Sequence, residues 1–246
     1  MKGPRFFIRP DSVRENRVTL EPAESRHAIS VLRLRRGDAV RLFDGEGREY
    51  GGAVEGIQKD RLTVAVNERA VAEAPSPAIT LAVSVIKPER MELLIEKASE
   101  LGVSSVVPLV TERSVVRLAR ERREAKIARW QKIALESCKQ CGQARVPRIG
   151  PVEPFASFVD GIGKYDAAFI PSLVVGGMGL GEALKKSRPK SVLVMVGPEG
   201  DFTEAEVRRA AGQGALPVSL GPLVMRSETA AIYLLSVLNF CYRNLS

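Results

Sequence analysis

Val192-Leu193-Val194-Met195-Val196 runs without a break into Gly197-Pro198-Glu199-Gly200-Asp201-Phe202, and Thr203-Glu204-Ala205-Glu206 follows. The first five residues form a continuous apolar run of strand length, the composition of a strand buried on both faces. The next six carry two glycines and a proline and read as a turn. Thr203 and Glu206 have the spacing of a capping box, so a helix starts there. Parallel sheets bind ligands at such strand, turn and helix junctions, beyond the carboxyl ends of their strands. Gly197 and Gly200 let backbone come close to a flat ligand. No Lys-Ser/Thr follows as in a Walker loop, and Glu199 and Asp201 repel phosphate, so the ligand that fits is an adenosine without phosphates.

A second junction lies downstream. Ser219-Leu220-Gly221-Pro222-Leu223-Val224-Met225-Arg226 follows a short strand at 217–220 and leads into Ser227-Glu228-Thr229-Ala230. Two glycine turns at strand ends imply one shared pocket. An arginine buried just before an apolar helix is costly unless a carboxylate or a ligand meets it. Glu199 or Glu228 is the expected carboxylate for Arg226. Gly176-Gly177-Met178-Gly179-Leu180-Gly181 has Glu182 where a dinucleotide loop needs its third glycine, so a flexible loop is expected and a Rossmann dehydrogenase is set aside.

The rest of the second half keeps this rhythm. Strands are expected at 79–86, 106–110 and 167–171, and Pro88 opens a helix whose Met91, Leu94, Ile95, Ala98 and Leu101 follow the helical period, with Gly102 at its end. Apolar strands alternating with amphipathic helices indicate a parallel sheet covered on both faces. A last helix at 229–242 is apolar almost all round. Burial within the monomer and packing against a second subunit both account for it.

The first seventy residues differ. Short strands are expected at 5–8, 17–20, 39–43, 49–57 and 61–66, with a hairpin signal at Asp44-Gly45-Glu46-Gly47 and one helix at 23–32. They compose a small β-barrel-like domain. Two prolines among small residues at 70–78 read as a linker. The expected class is α/β in two domains, residues 1–72 and 73–246.

Lys and Arg exceed Asp and Glu by 37 to 29, and the excess is local: residues 113–148 hold 11 basic against three acidic side chains. Such a run suits phosphate contacts, and it also suits a solvated helix face. No apolar run approaches the ~20 residues that span a bilayer. The start of the chain, Met1 to Phe7, lacks the apolar core of a secretory signal, so a cytoplasmic location is expected. Cys138 and Cys141 form a CxxC, but beyond them only Cys241 and the single His27 could complete four ligands, far away in sequence. No metal is expected.

Gly-Pro-Glu-Gly-x-Phe followed by Leu-Gly-x-x-x-x-Arg-x-Glu-Thr-Ala resembles the SPOUT methyltransferases that act on N3 of a uridine in small-subunit (16S) ribosomal RNA, the methyltransferase E family. The likeness continues through Arg5-Phe6-Phe7, through His27-Ala28 with the segment 31–38, and through Glu92 with the segment 97–103. It also includes Glu112-Arg113-Ser114. It departs at Asp201, where the family has a second glycine, at Met225 for leucine, and at Lys139 and Gln143 for Glu and Arg.

The resemblance implies an N-terminal PUA-like β-barrel for RNA and a C-terminal domain with a trefoil knot. It further implies S-adenosylmethionine as cofactor and a homodimer that binds 16S ribosomal RNA or the small ribosomal subunit. The expected cofactor residues are Pro171, Leu173, Gly197, Pro198, Glu199, Gly200, Leu220, Gly221, Met225 and Thr229. Arg5, Arg9, Arg33, Arg35, Arg36, Arg113 and Arg117 are expected to contact RNA.

Methyl transfer to N3 requires loss of its proton, and with no histidine nearby in sequence the help expected is charge. Arg226 would stabilise the developing uridinate, and Glu228 would hold that arginine or accept the proton. A non-catalytic RNA-binding or ribosome-assembly protein, and ribose 2′-O-methylation on the same fold, are the alternatives.

Overall fold

The computed structural model describes residues 3–116, 118–186 and 188–243, and it divides into two compact units. Unit 1 comprises Met1–Ala74 together with Cys138–Val146, and unit 2 comprises Pro75–Ser137 together with Pro147–Ser246.

Unit 1 contains β1 (Arg5–Phe7), β2 (Arg17–Thr19), α1 (Pro22–Arg26), β3 (Ala39–Phe43), β4 (Arg48–Gln58) and β5 (Arg61–Val71). They form one sheet in the order β1-β3-β4-β5-β2, antiparallel except for β1 on β3. Register shifts between Gly51 and Gly52 and between Val54 and Gly56 bend the long β4–β5 hairpin. Phe6, Val18, Leu20, Leu42, Leu62 and Val64 fill the core.

Three expectations change here. The helix expected over 23–32 stops at Arg26 and continues as a π-helical turn, His27–Val31. This turn buries Ala28 but leaves Val31 and Leu32 exposed. Strand β5 runs five residues beyond the expected end, because Arg69, Ala70 and Val71 pair with Tyr50, Glu49 and Arg48 of its hairpin partner. The segment Cys138–Val146, expected with the second domain, belongs to unit 1. Val146 N–H donates to Gly45 O (2.9 Å), Arg5 donates to Cys138 O (2.7 Å), and Lys139 pairs with Glu24 at 2.7 Å.

Unit 2 contains β6 (Ala78–Ser84), α2 (Pro88–Glu100), β7 (Ser105–Val110), most of α3 (Arg123–Cys141), β8 (Arg148–Ile149), β9 (Glu153–Pro154) and α4 (Phe155–Val159). It continues with β10 (Ala167–Pro171), β11 (Met178–Gly179), α5 (Leu180–Ala183), β12 (Ser191–Val196), α6 (Glu204–Gly212), β13 (Leu216–Ser219) and α7 (Ser227–Arg243). All pairings are parallel, in the order β11-β13-β10-β12-β6-β7-β8, with β9 also on β7. Strands β6 and β12 lie side by side at the centre, and Ile79, Leu81, Val192, Leu193 and Val194 are fully buried, as their unbroken apolar runs require.

Within the glycine-rich stretch 176–181, expected as a loop, strand β11 and the start of α5 form. Met178 and Gly179 pair with Val218 and Ser219, and a Cβ on Gly177 would stand 2.7 Å from Pro217 O. Close backbone approach explains that glycine. Helix α7 turns Ala231, Leu234, Leu235 and Leu238 inward and leaves Tyr233 and Phe240 exposed.

Candidate active site

Strands β12, β10 and β13 are neighbours, so the segments leaving their carboxyl ends lie side by side. From β10 come Ser172 and Leu173, from β12 the turn 197–202, and from β13 the segment 220–226 that leads into α7. Together they line one open cleft, at the strand-end position where parallel sheets bind small ligands.

Two glycines shape it. A Cβ on Gly197 would stand 2.8 Å from Phe202 N, because the turn folds back on itself. Gly221 has φ +110°, where a β-branched side chain is strained.

Eight of the ten expected cofactor residues line this cleft: Pro171, Leu173, Gly197, Pro198, Glu199, Leu220, Gly221 and Met225. Gly200 and Thr229 do not. Gly200 is turned to Arg113, which donates to its carbonyl at 2.8 Å, and Thr229 stands on the exposed side of α7. Beyond the expected set, Ser172, Val196, Asp201, Ser219, Leu223, Val224, Ser227 and Ala230 also line the cleft. Ser227 Oγ is buried there with no hydrogen-bond partner among the described residues. The charged lining residues are both carboxylates, Glu199 and Asp201. The cleft therefore suits a ligand with apolar surface, a hydrogen-bonding group and positive charge.

The turn is held from outside. In the loop after β7, Thr111 and Ser114 share hydroxyl hydrogen bonds of 2.8–3.0 Å with each other and with Ser84 at the end of β6. Glu112 N–H donates to Glu206 (2.9 Å), whose carboxylate also completes the expected capping box with Thr203. Arg113, expected at RNA, thus braces the β12 turn.

The expected partner of Arg226 is corrected. Arg226 is exposed, while Glu228, two residues further on, is buried. The cation facing both carboxylates is Arg90 of α2, with Nη1 3.6 Å from Glu199 and Nε 3.7 Å from Glu228. Arg226 is the last residue before α7, and its carbonyl accepts the Ala230 N–H at 2.9 Å. The available sequence signal for Arg90 was its place just beyond the carboxyl end of β6, next to β12. Glu228 Oε2 is buried without a hydrogen-bond partner among the described residues.

Among the arginines expected at RNA, Arg9, Arg33, Arg35 and Arg36 are exposed, and Arg117 lies outside the described residues. Arg5 is not on the surface. Its guanidinium lies 4.0 Å over the Phe43 ring, pairs with Glu49 at 3.0 Å, and has its pKa lowered chiefly by burial. Several cations of the 113–148 run are engaged locally: Arg129 with Glu92, Lys139 with Glu24, and Arg145 with the Glu46 and Ala72 carbonyls. The Cys138 thiol is pushed up by its hydrogen bond with Cys141 and by burial, which keeps it protonated and unreactive.

Residues 72–239 match the RNA methyltransferase domain family, and residues 20–67 match the RNA methyltransferase PUA domain. The ribosomal RNA small subunit methyltransferase E of Bacillus subtilis (strain 168) is 32% identical over 88% of this chain and 87% of its own length. The chain belongs to the ribosomal RNA small subunit methyltransferase E family. The Neisseria gonorrhoeae member of this family, solved bound to S-adenosyl methionine, superposes with a TM-score of 0.88 at 29% identity, covering 99% of each chain. A Legionella pneumophila structure solved with the cofactor SAM superposes at 0.87 with 31% identity, over 98% of this chain and 99% of that one. Family membership accounts for the α/β class, with its parallel sheet and its N-terminal PUA domain.

Proposed function

We propose that this chain binds S-adenosylmethionine in the β10, β12 and β13 cleft and methylates N3 of a uridine in small-subunit (16S) ribosomal RNA. The observation that carries the reading is the cleft itself: two glycine turns meet at adjacent strand ends, and the charged residues facing them are carboxylates. The donor, when bound, supplies a sulfonium-activated methyl group. Glu199 favours a cation, Ser227 Oγ offers a hydrogen bond, and Leu220, Met225 and Ala230 cover apolar surface.

Arg226 stands exposed beside the cleft-lining Met225 and Ser227. There its guanidinium stabilises the uridinate that forms as N3 gives up its proton to solvent water, in the manner of an oxyanion hole. Glu228 faces Arg90 and acts as a positioning residue, holding Arg90 beside Glu199 at the turn. Arg9, Arg33, Arg35 and Arg36 of unit 1 are the proposed phosphate contacts. The homodimer, the trefoil knot and the cytoplasmic setting belong to the same proposal. No helix among the described residues is long and apolar enough to cross a membrane.

The test is mass spectrometry of nuclease-digested small-subunit ribosomal RNA after incubation with the protein and S-adenosylmethionine. N3-methyluridine is expected. A ribose-methylated nucleoside would favour 2′-O-methylation, and an unmodified digest with intact RNA binding would favour a non-catalytic assembly protein.

A further inference from the structure

Asp201 keeps a glycine-like backbone with φ +60°. Glycine adopts that conformation with less strain, so backbone geometry does not account for the aspartate. Its carboxylate does. Oδ2 accepts the Leu173 N–H at 2.7 Å, and Oδ1 accepts the Phe202 N–H at 2.7 Å.

The first of these bonds joins two chain segments 28 residues apart. Beyond β10, Ser172 N–H donates to Val218 O of β13 (3.2 Å), and the N–H groups of Val174 and Val175 both donate to Ser172 Oγ (3.2 and 3.1 Å). Leu173 N–H goes to neither the sheet nor Ser172, and Asp201 takes it. Both Leu173 and Asp201 line the cleft.

We propose that Asp201 is a latch: its carboxylate ties the loop after β10 to the turn after β12 and so sets the spacing of the two cleft walls that receive the methyl donor. It is a positioning residue, and the inference rests on the donor site proposed above. Removing the carboxylate frees one wall from the other while the sheet beneath stays paired. Bound and free donor are then separated by the added cost of ordering the loop.

The test titrates S-adenosylmethionine and S-adenosylhomocysteine into the full chain and into Asp201→Gly and Asp201→Asn, with a melting curve for each. The glycine variant relieves the backbone and loses both acceptors. It should melt no lower than the parent yet bind each ligand about tenfold more weakly, the scale of one hydrogen bond to a charged group. The asparagine variant keeps one carbonyl oxygen and should lose less, again equally for both ligands. Equal loss is the signature of a wall, because the two ligands differ only at the methylated, charged sulfur. Unchanged affinities in both variants overturn the latch. A loss confined to S-adenosylmethionine overturns it in favour of a charge contact, and a lower melting temperature with intact binding reduces Asp201 to a structural role. If the parent protein binds neither ligand, the donor site itself is wrong, an outcome distinct from all of these.

Discussion

Arg226 is exposed, so its removal leaves no cavity and strands no buried charge. Arg226→Ala should keep its melting temperature and its donor affinity, yet lose on the order of a hundredfold in single-turnover methylation, the range for an oxyanion-hole donor. Arg226→Lys should recover little, since an ammonium lacks the planar fork. Arg90 is the opposite case. Arg90→Ala strands the buried Glu228 carboxylate and should cost about 1–3 kcal/mol, less than a fully buried pair because its contacts are 3.6 and 3.7 Å and partly wet. Adding Glu228→Gln should return much of that loss, and a double-mutant cycle by thermal melting measures it. Both glutamates were legible as site residues from the turns that carry them. Arg90 carries only the weak signal of its place just beyond β6, and the packing of α2 against α7 brings it to Glu228. Arg5 was misjudged for the same reason: a charge count does not show that a guanidinium lies over a phenylalanine ring.

Elements whose ends carry chemistry were read well. The capping box at Thr203 and Glu206, proline at the start of α2, and the apolar runs of β6 and β12 each combine a local preference with a buried face. Strands β8, β9 and β11 are two residues each, too short to show any periodicity, and only their neighbours define them. One junction makes a pH-dependent prediction. Asp166 Oδ2 accepts the N–H groups of Lys190 and Ser191 (2.9 Å each) and the Ser191 hydroxyl (3.0 Å), fixing the start of β12 beside β10. The Ser191 backbone N–H is the main reason its pKa falls below the ordinary 3.8. A carboxylate lowered on folding stabilises above its unfolded pKa and loses that contribution as pH falls through the folded value. Asp166→Ala should therefore melt below the parent at neutral pH, with the gap closing in acid below 3.8, as calorimetric scans across pH would report.

On the scale of the whole molecule, composition and rhythm separated a strand-rich first part from an alternating second part. They did not show that Cys138–Val146 belongs with unit 1, because a short segment after a helix carries no local mark of which core it joins. A knot is equally invisible to periodicity. Charge is shared unevenly: the arginines at 33, 35 and 36 are exposed, whereas much of the 113–148 surplus is engaged within the protein. Arg33→Ala combined with Arg35→Ala should weaken binding of a small-subunit ribosomal RNA fragment and reduce the slope of log affinity against log salt by up to about 2. Donor affinity should not change. Anisotropy titrations at several salt concentrations provide the check, and a slope equal to the parent's would remove these arginines from the interface.

The cleft at the ends of β10, β12 and β13 is the proposed seat of the methyl donor. Calorimetric titration of S-adenosylmethionine into the parent and into Gly221→Val tests it most directly. Gly221 lines the cleft at φ +110°, with open space where a side chain would stand, so valine both strains the turn and fills the site. The parent should bind and the variant should not, with the melting transition of unit 2 retained; equal affinity in the two proteins would place the donor elsewhere.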